Sequence, residues 1–563
     1  MFCQCNHNPA FPQTSRSRVE RSSAYGIAVL LALVLVIYLY PASFVLGTSG
    51  SFDQGDSPQH VSGWLLFAAD DWRFPLLLTQ RFAPPEGLPI FLTDSIPLAA
   101  LVFKPFAPLL PEGFHYLGLW HVGLRFGQAL AAVYLVRALG ARDALSAFAA
   151  VGLALLWPAN LARIEHTALG THWLLLLGLG HYFRARHWSV FKAATIFTVT
   201  TSAALLVHPY LLAMILPIQI AEAVDRSWRI RKWRKPATGL AASLVWLAAL
   251  AFVMGYFTAG SNLDGGFEIY SMNLLAPFCG GDILRCIVPD PTGGQREGFN
   301  YLGLGVLIAI TGACILSWRH AGSALRAHPA LACIMIGFVI YALSSRVWLG
   351  DWKLLSYKIP YPTTVLTETF RSSGRFFWPV GLLLMATAVA TLARSGRRWM
   401  PALLVGLVVV QAVDTRSLLQ SVQAHASQPP LYDFSQWRAA LPAIQAIEVY
   451  PAFGCPELTK QPYSFMQRLA GEIGATINTG YLARSNNTCE AVVDHQPQPL
   501  AAGRLLVSFA DAGRFPQPAI ISQAIAAGSC RTITLRDQAV LMCSNDPGVN
   551  WDALGSIVQP ARP

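Results

Sequence analysis

The chain has 563 residues, 54% of them hydrophobic and only 13% charged, which excludes a soluble globular enzyme. Its formal charge of +11 does not point to a nucleic-acid partner, because the basic residues sit in short loops between apolar runs. That is the positive-inside pattern of a multi-pass membrane protein, in which each span needs about 20 apolar residues.

Residues 1–23 carry Arg16, Arg18 and Arg21 and give way to an apolar run at 24–46. The run is long for a signal-peptide core and lacks a small-residue cleavage site, so an uncleaved anchor with a cytoplasmic N-terminus is expected. Residues 51–72 follow, placing Asp53, Asp56 and His60 just outside the membrane. Ser57 can cap a helix whose first residue is Pro58. Val61, Trp64, Leu65 and Ala68 then share one face, which predicts a helix lying flat in the membrane interface. With Ser57 as the cap, Asp56 is not needed for that role; the alternative is that Asp56 caps the helix or is solvated in a loop.

Asp94 opens a second apolar stretch, but Pro105, Pro108 and Pro111 interrupt it, so 96–110 is read as a re-entrant or interfacial element. Spans are expected near 114–136, 144–158 and 171–183. The connection at 158–171 carries Arg163, Glu165 and His166, and His172 begins the next span. Residues 192–207 and 209–221 meet at His208-Pro209, which makes either a hairpin tip or one broken span, because proline disfavours helix at the residue before it. The basic run 226–235 marks an inner loop facing anionic lipid. Spans near 237–259, 299–317, 329–345, 377–394 and 399–420 bring the count to about eleven and leave the C-terminus outside.

The fold class is therefore a polytopic α-helical membrane domain over 1–426, followed at 427–563 by an extracytoplasmic α/β domain of alternating short helices and strands. Six cysteines on the outer side favour disulfides. The sequence-near pairings are Cys279–Cys286, Cys455–Cys489 and Cys530–Cys543. None has the C-x-x-C spacing of a zinc site.

In this topology four polar groups converge at the outer surface. They are Asp53, Asp56 and His60; Asp94; Arg163, Glu165, His166 and His172 with His208 and Tyr210; and Arg371 with Arg375 in F-R-S-S-G-R-F-F-W-P. Ionisable residues at membrane depth are costly and so are functional candidates. Two arginines around Ser-Ser-Gly suit a forked grip on phosphate, against the alternative of snorkelling over lipid headgroups. The histidines are read as hydrogen-bonded loop residues rather than a metal site.

A first loop with acidic residues, about eleven spans and an extracytoplasmic C-terminal domain resembles the GT-C class of membrane glycosyltransferases. More closely, G-D-S-P-Q-H-V-S-G-W, T-D-S-I-P-L with F-K-P, and F-R-S-S-G-R-F-F-W-P resemble an uncharacterised bacterial membrane family assigned to that class. The resemblance implies inverting transfer of a sugar from a polyprenyl-phosphate or polyprenyl-diphosphate donor to a glycan, lipid or protein acceptor, at the outer face of the bacterial inner membrane. Asp56 or Asp53 would match the first-loop carboxylate of the class. D-Q-G-D replaces the acidic pair that many members carry, which leaves open the choice of base and the need for a divalent cation; no other cofactor is expected. A transporter or flippase of lipid-linked saccharide and a non-catalytic envelope assembly protein are the alternatives.

Overall fold

The computed structural model describes residues 15–258, 265–455, 460–482, 500–509, 519–535 and 538–556. All eleven expected spans contain helix. Five described helices are long and apolar enough to cross a membrane: Arg21–Leu39, Leu117–Ala138, Val190–Val207, Arg234–Met254 and Ser373–Arg394. The pair Met400–Asp414 and Arg416–Ala426, bent by 57°, makes up to six if taken as one span. Length and composition thus single out five or six crossings against the eleven expected. The other five expected spans are the shorter or more polar helices Ala144–Leu155, Trp173–Ala185, Pro209–Ile230, Leu304–Ala327 and Pro329–Leu343.

Local chemistry sets many of the helix ends. The side chains of Asp143 and Ser189 cap the helices that follow them, accepting from Ser146 N at 2.8 Å and Lys192 N at 3.2 Å. Proline opens Pro209–Ile230 and Pro329–Leu343, where its missing N–H has no partner to lose. Leu117–Ala138 packs between Trp173–Ala185, Ala144–Leu155 and the first helix, Ser15–Leu39. His208–Pro209 is a hairpin tip: the start of Val190–Val207 and the end of Pro209–Ile230 line the same crevice, with Val190 and Arg226 both in its wall. Arg226 donates from this crevice to Trp188 O at 2.8 Å.

At the opposite end of the bundle lie the long loops. Two short pairs, β1 (Leu78–Thr79) with β2 (Leu88–Pro89) and β3 (Arg346–Leu349) with β4 (Trp352–Ser356), are antiparallel. The stretch 96–110 is a short helix, Pro97–Phe103, followed by a 3-10 turn, Lys104–Leu109. The C-terminal region builds one sheet from β5 (Ala446–Tyr450), β6 (Thr476–Ile477), β7 (Arg504–Phe509), β8 (Cys530–Leu535) and β9 (Gln538–Cys543), in the order β6-β5-β7-β9-β8. β5 runs parallel to β6 and β7, while β9 is antiparallel to β7 and β8.

Cys279–Cys286 and Cys530–Cys543 are disulfides, the latter between directly facing residues of β8 and β9. The expected Cys455–Cys489 pairing falls on Cys489, which lies outside the described residues, as does the sequon at 486–488.

The helix Ser57–Ala68 corrects the sequence reading. It does not lie flat with one face in lipid: every residue from Ser57 to Phe67 is buried. Its outer face is covered by the helix Lys460–Ile473, and Gly471 lets the two approach so closely that a Cβ there would sit 2.9 Å from Leu65. Trp64 Nε1 donates to Phe114 O at 2.7 Å. The apolar face read as membrane-facing is thus the seam between the helical bundle and the C-terminal domain.

Candidate active site

The helix Ser57–Ala68 starts one residue earlier than expected. Asp56 takes the cap position but makes no capping hydrogen bond. Its carboxylate is engaged elsewhere. Tyr481 Oη donates to Asp56 Oδ1 at 3.0 Å, and His166 Nε2 lies 3.2 Å from Asp56 Oδ2. The same His166 nitrogen is 3.9 Å from Glu297 Oε1.

Glu297 ties two guanidinium groups together. Arg163 Nη1 donates to its Oε2 at 2.8 Å and Arg375 Nη2 at 2.7 Å. Arg163 and Arg375 are 4% and 8% exposed, so each needs a counter-charge in this low-dielectric setting. Burial opposes ionisation of Glu297, but the charges of Arg375 and Arg163 outweigh it and hold the carboxyl well below its usual range. Arg375 also lies over the Tyr210 ring at 5.0 Å. Its buried Nε is without a hydrogen-bond partner among the described residues.

Asp94 forms a second centre. It sits in the left-handed region at φ 54°, which Asp tolerates better than most residues. The turn is pinned to the first-loop helix by Ser95 Oγ, which donates to His60 O at 2.6 Å. His208 Nε2 lies 3.6 Å from Asp94 Oδ1 and His60 Nε2 lies 3.9 Å from Oδ2. The backbone N–H of Tyr210 donates to His208 Nδ1 at 3.1 Å, which leaves the proton of neutral His208 on Nε2, facing Asp94. Burial pushes His208 and His60 down, with Asp94 working the other way. Burial likewise works against ionised Asp94, but the hydrogen bond from His208, followed by the electrostatic pull of His208, His60 and His166 as they protonate at low pH, brings it to about 2.

These centres share one cavity of about 610 Å³. Of the residues singled out from the sequence, Asp56, Asp94, His166, His208, Tyr210, Arg371 and Arg375 line it. His60 and Arg163 stand behind it, touching Asp94 and Glu297 respectively. Three others do not reach the cavity. Asp53 accepts from Leu431 N at 3.0 Å and borders a separate small crevice with Tyr432 and Arg468. Glu165 is turned toward His425 at 4.0 Å and lies against Gly55. His172 packs its ring 4.3 Å from that of Trp378.

Glu297 and Tyr481 were missed. Glu297 had an indirect signal, since two arginines drawn to one end of a membrane bundle require a nearby carboxylate. Tyr481 follows β6 in an unpatterned stretch and had none. Phe91, Tyr256 and Phe370 give the cavity an aromatic wall, with Phe91 and Tyr256 stacked at 4.2 Å. Among the described residues no group of three or more His, Cys, Asp or Glu could hold a metal ion.

Fold and site together define a membrane protein of many helices whose loops and C-terminal α/β domain enclose a polar cavity at one end of the bundle. The chain belongs to the family described as Domain of unknown function (DUF6311), which matches residues 29–416, and residues 436–544 match the DUF6311 C-terminal domain. No curated protein matches the sequence. Solved structures similar to it include the oligosaccharyltransferase of Archaeoglobus fulgidus tethered with an acceptor peptide, at 11% identity and TM-score 0.41, covering 81% of this chain and 64% of that one. Another is archaeal oligosaccharyltransferase AglB from Archaeoglobus fulgidus in complex with an inhibitory peptide and a dolichol-phosphate, at 11% identity and TM-score 0.38, covering 86% and 69%. The match thus spans less than two thirds of the first of these proteins.

Proposed function

We propose that this protein is an inverting glycosyltransferase of the GT-C kind, moving a sugar from a polyprenyl-phosphate or polyprenyl-diphosphate donor to a hydroxyl of a glycan, lipid or protein acceptor. The observation that carries the reading is the joint lining of one cavity by the Asp56 carboxylate and by Arg371 and Arg375. Asp56 takes the acceptor proton while the acceptor oxygen bonds to the sugar carbon; the bond from that carbon to the phosphate oxygen breaks, and the lipid phosphate leaves with the electron pair. Such a leaving group needs charge stabilisation more than a proton. Arg371 supplies it together with Arg375, which lines the same cavity and whose Nη2 is held by Glu297.

Asp94 and His208 offer an acceptor and a donor for sugar hydroxyls, and the aromatic wall takes the first isoprene units. The cavity end faces the periplasm in this reading, with the Lys/Arg-rich loops in the cytoplasm. The test is mass spectrometry of lipid-linked sugars and envelope glycans from cells with and without the protein. The reading expects a lipid-linked sugar to accumulate and one glycan modification to vanish when the protein is removed. Unchanged profiles contradict it.

A further inference from the structure

We infer that Tyr481 of the C-terminal domain is a positioning residue for Asp56, so that the active site is completed only when that domain is docked on the helical bundle. This rests on the glycosyltransferase reading and adds to it a residue 425 positions away in sequence. The phenol donates to Asp56 Oδ1 at 3.0 Å, while His166 faces the other oxygen at 3.2 Å. A phenol donating to one oxygen and an imidazole nitrogen beside the other restrict how the carboxylate can turn, which a loop aspartate at a helix start does not achieve alone. His60, Asp94, Glu297 and Tyr270 are further titratable groups around this pair.

The position of Tyr481 is itself over-determined. β6 is clamped from both sides: Thr476 and Ile477 pair with β5, and residues 81–83 of the first loop join its other edge. There Ala83 N donates to Ile477 O at 2.7 Å and Ile477 N donates to Arg81 O at 2.8 Å. The first loop thus adds a short edge to the C-terminal sheet four residues before Tyr481. The helix Lys460–Ile473, which leads into β6, packs on Ser57–Ala68, which begins right after Asp56. The aspartate and the tyrosine are delivered by elements that pack on each other. Phe453 stacks edge-on against the Tyr481 ring at 5.2 Å. Burial first, then the charge of Asp56, pushes the phenol well above its ordinary range, so it stays a donor.

The test compares Tyr481→Phe, Tyr481→Ala and Asp56→Asn in membranes, with lipid-linked saccharides extracted from the host as donor. Tyr481→Phe keeps the ring and loses only the hydroxyl. It is expected to lower kcat about tenfold, the order of one hydrogen bond to a charged group, with KM changed less than twofold. The acidic limb of its pH–activity profile should move to higher pH, since the carboxylate has lost a donor that favours its charged form. Tyr481→Ala should fall at least as far. Wild-type kcat and pH profile in Tyr481→Phe, with Asp56→Asn inactive, overturns the positioning role and leaves the functional reading intact. A loss in Tyr481→Ala alone assigns the residue to ring packing and equally overturns the proposal. If Asp56→Asn is as active as wild type, it is the functional reading that fails.

Discussion

Glu297 decides how the cavity is charged. One carboxylate serves two buried guanidinium groups, and removing its charge leaves Arg163 and Arg375 facing each other, with the charge of Asp94 still acting on Arg375. Breaking a buried pair costs about 3–5 kcal/mol; because the Glu297 side chain is 26% exposed, the lower end applies. Glu297→Gln is therefore expected to lose about 3 kcal/mol of stability, read as a clear drop in the thermal unfolding midpoint in detergent. A midpoint equal to wild type contradicts the pairing. At this scale the sequence was legible for some of the ionisable residues that border apolar runs, while His172, which also opens such a run, packs on Trp378 away from the cavity. Asp56, Asp94, His208 and Arg375 stand at the ends of apolar runs, and all four line the cavity. Asp53 looked equivalent to Asp56, but its turn is pressed under the linker to the C-terminal domain; a Cβ at Gly50 would lie 1.8 Å from Pro429 O. No local pattern reveals that long-range contact.

Among the elements, the Ser57–Ala68 helix links the two centres. Asp56 stands at its start, and Gly63 in its middle lies beneath the turn that presents Asp94. A Cβ at Gly63 would lie 1.9 Å from Thr93 Oγ1 and 2.5 Å from Ser95 Oγ. Thr93 cannot simply swing aside, since its hydroxyl is buried and donates to Ile90 O at 2.6 Å. Gly63→Ala should therefore destabilise the protein by about 1–3 kcal/mol, as overpacking does, and displace Asp94. A variant with wild-type thermal stability would show that the turn yields freely. The Ser57-Pro58 signal placed the start of this element within one residue, yet its apolar face was assigned to lipid. Apolarity cannot distinguish a membrane from protein as the covering layer, and here Phe103, Phe114 and Tyr116 of the bundle cover Trp64 while Lys460–Ile473 covers Leu65.

For the whole molecule, the buried histidines set a direction for pH dependence. His115 is pushed down to about 3 by burial and then by the charge of Arg468, against the hydrogen bond to Gly47 O. Burial is also the largest cause for His60 and His208. Below about 6.5 the unfolded chain binds protons at these positions that the folded chain refuses, so stability falls as pH drops from 6.5 toward 3. Asp94 adds to the loss only between its ordinary 3.8 and about 2. Thermal midpoints measured across this range should decline below pH 6.5, and a midpoint that stays level down to pH 4 contradicts the neutral burial of these rings.

The central claim is that the Asp56 carboxylate performs chemistry on a lipid-linked sugar, and Asp56→Asn tests it most directly. The variant keeps the size of the side chain and removes the base. In cells that make the folded variant in place of the wild type, mass spectrometry should show the lipid-linked sugar accumulating and its glycan product reduced about a hundredfold or more, the scale of a lost general base. A product level equal to wild type would contradict the account.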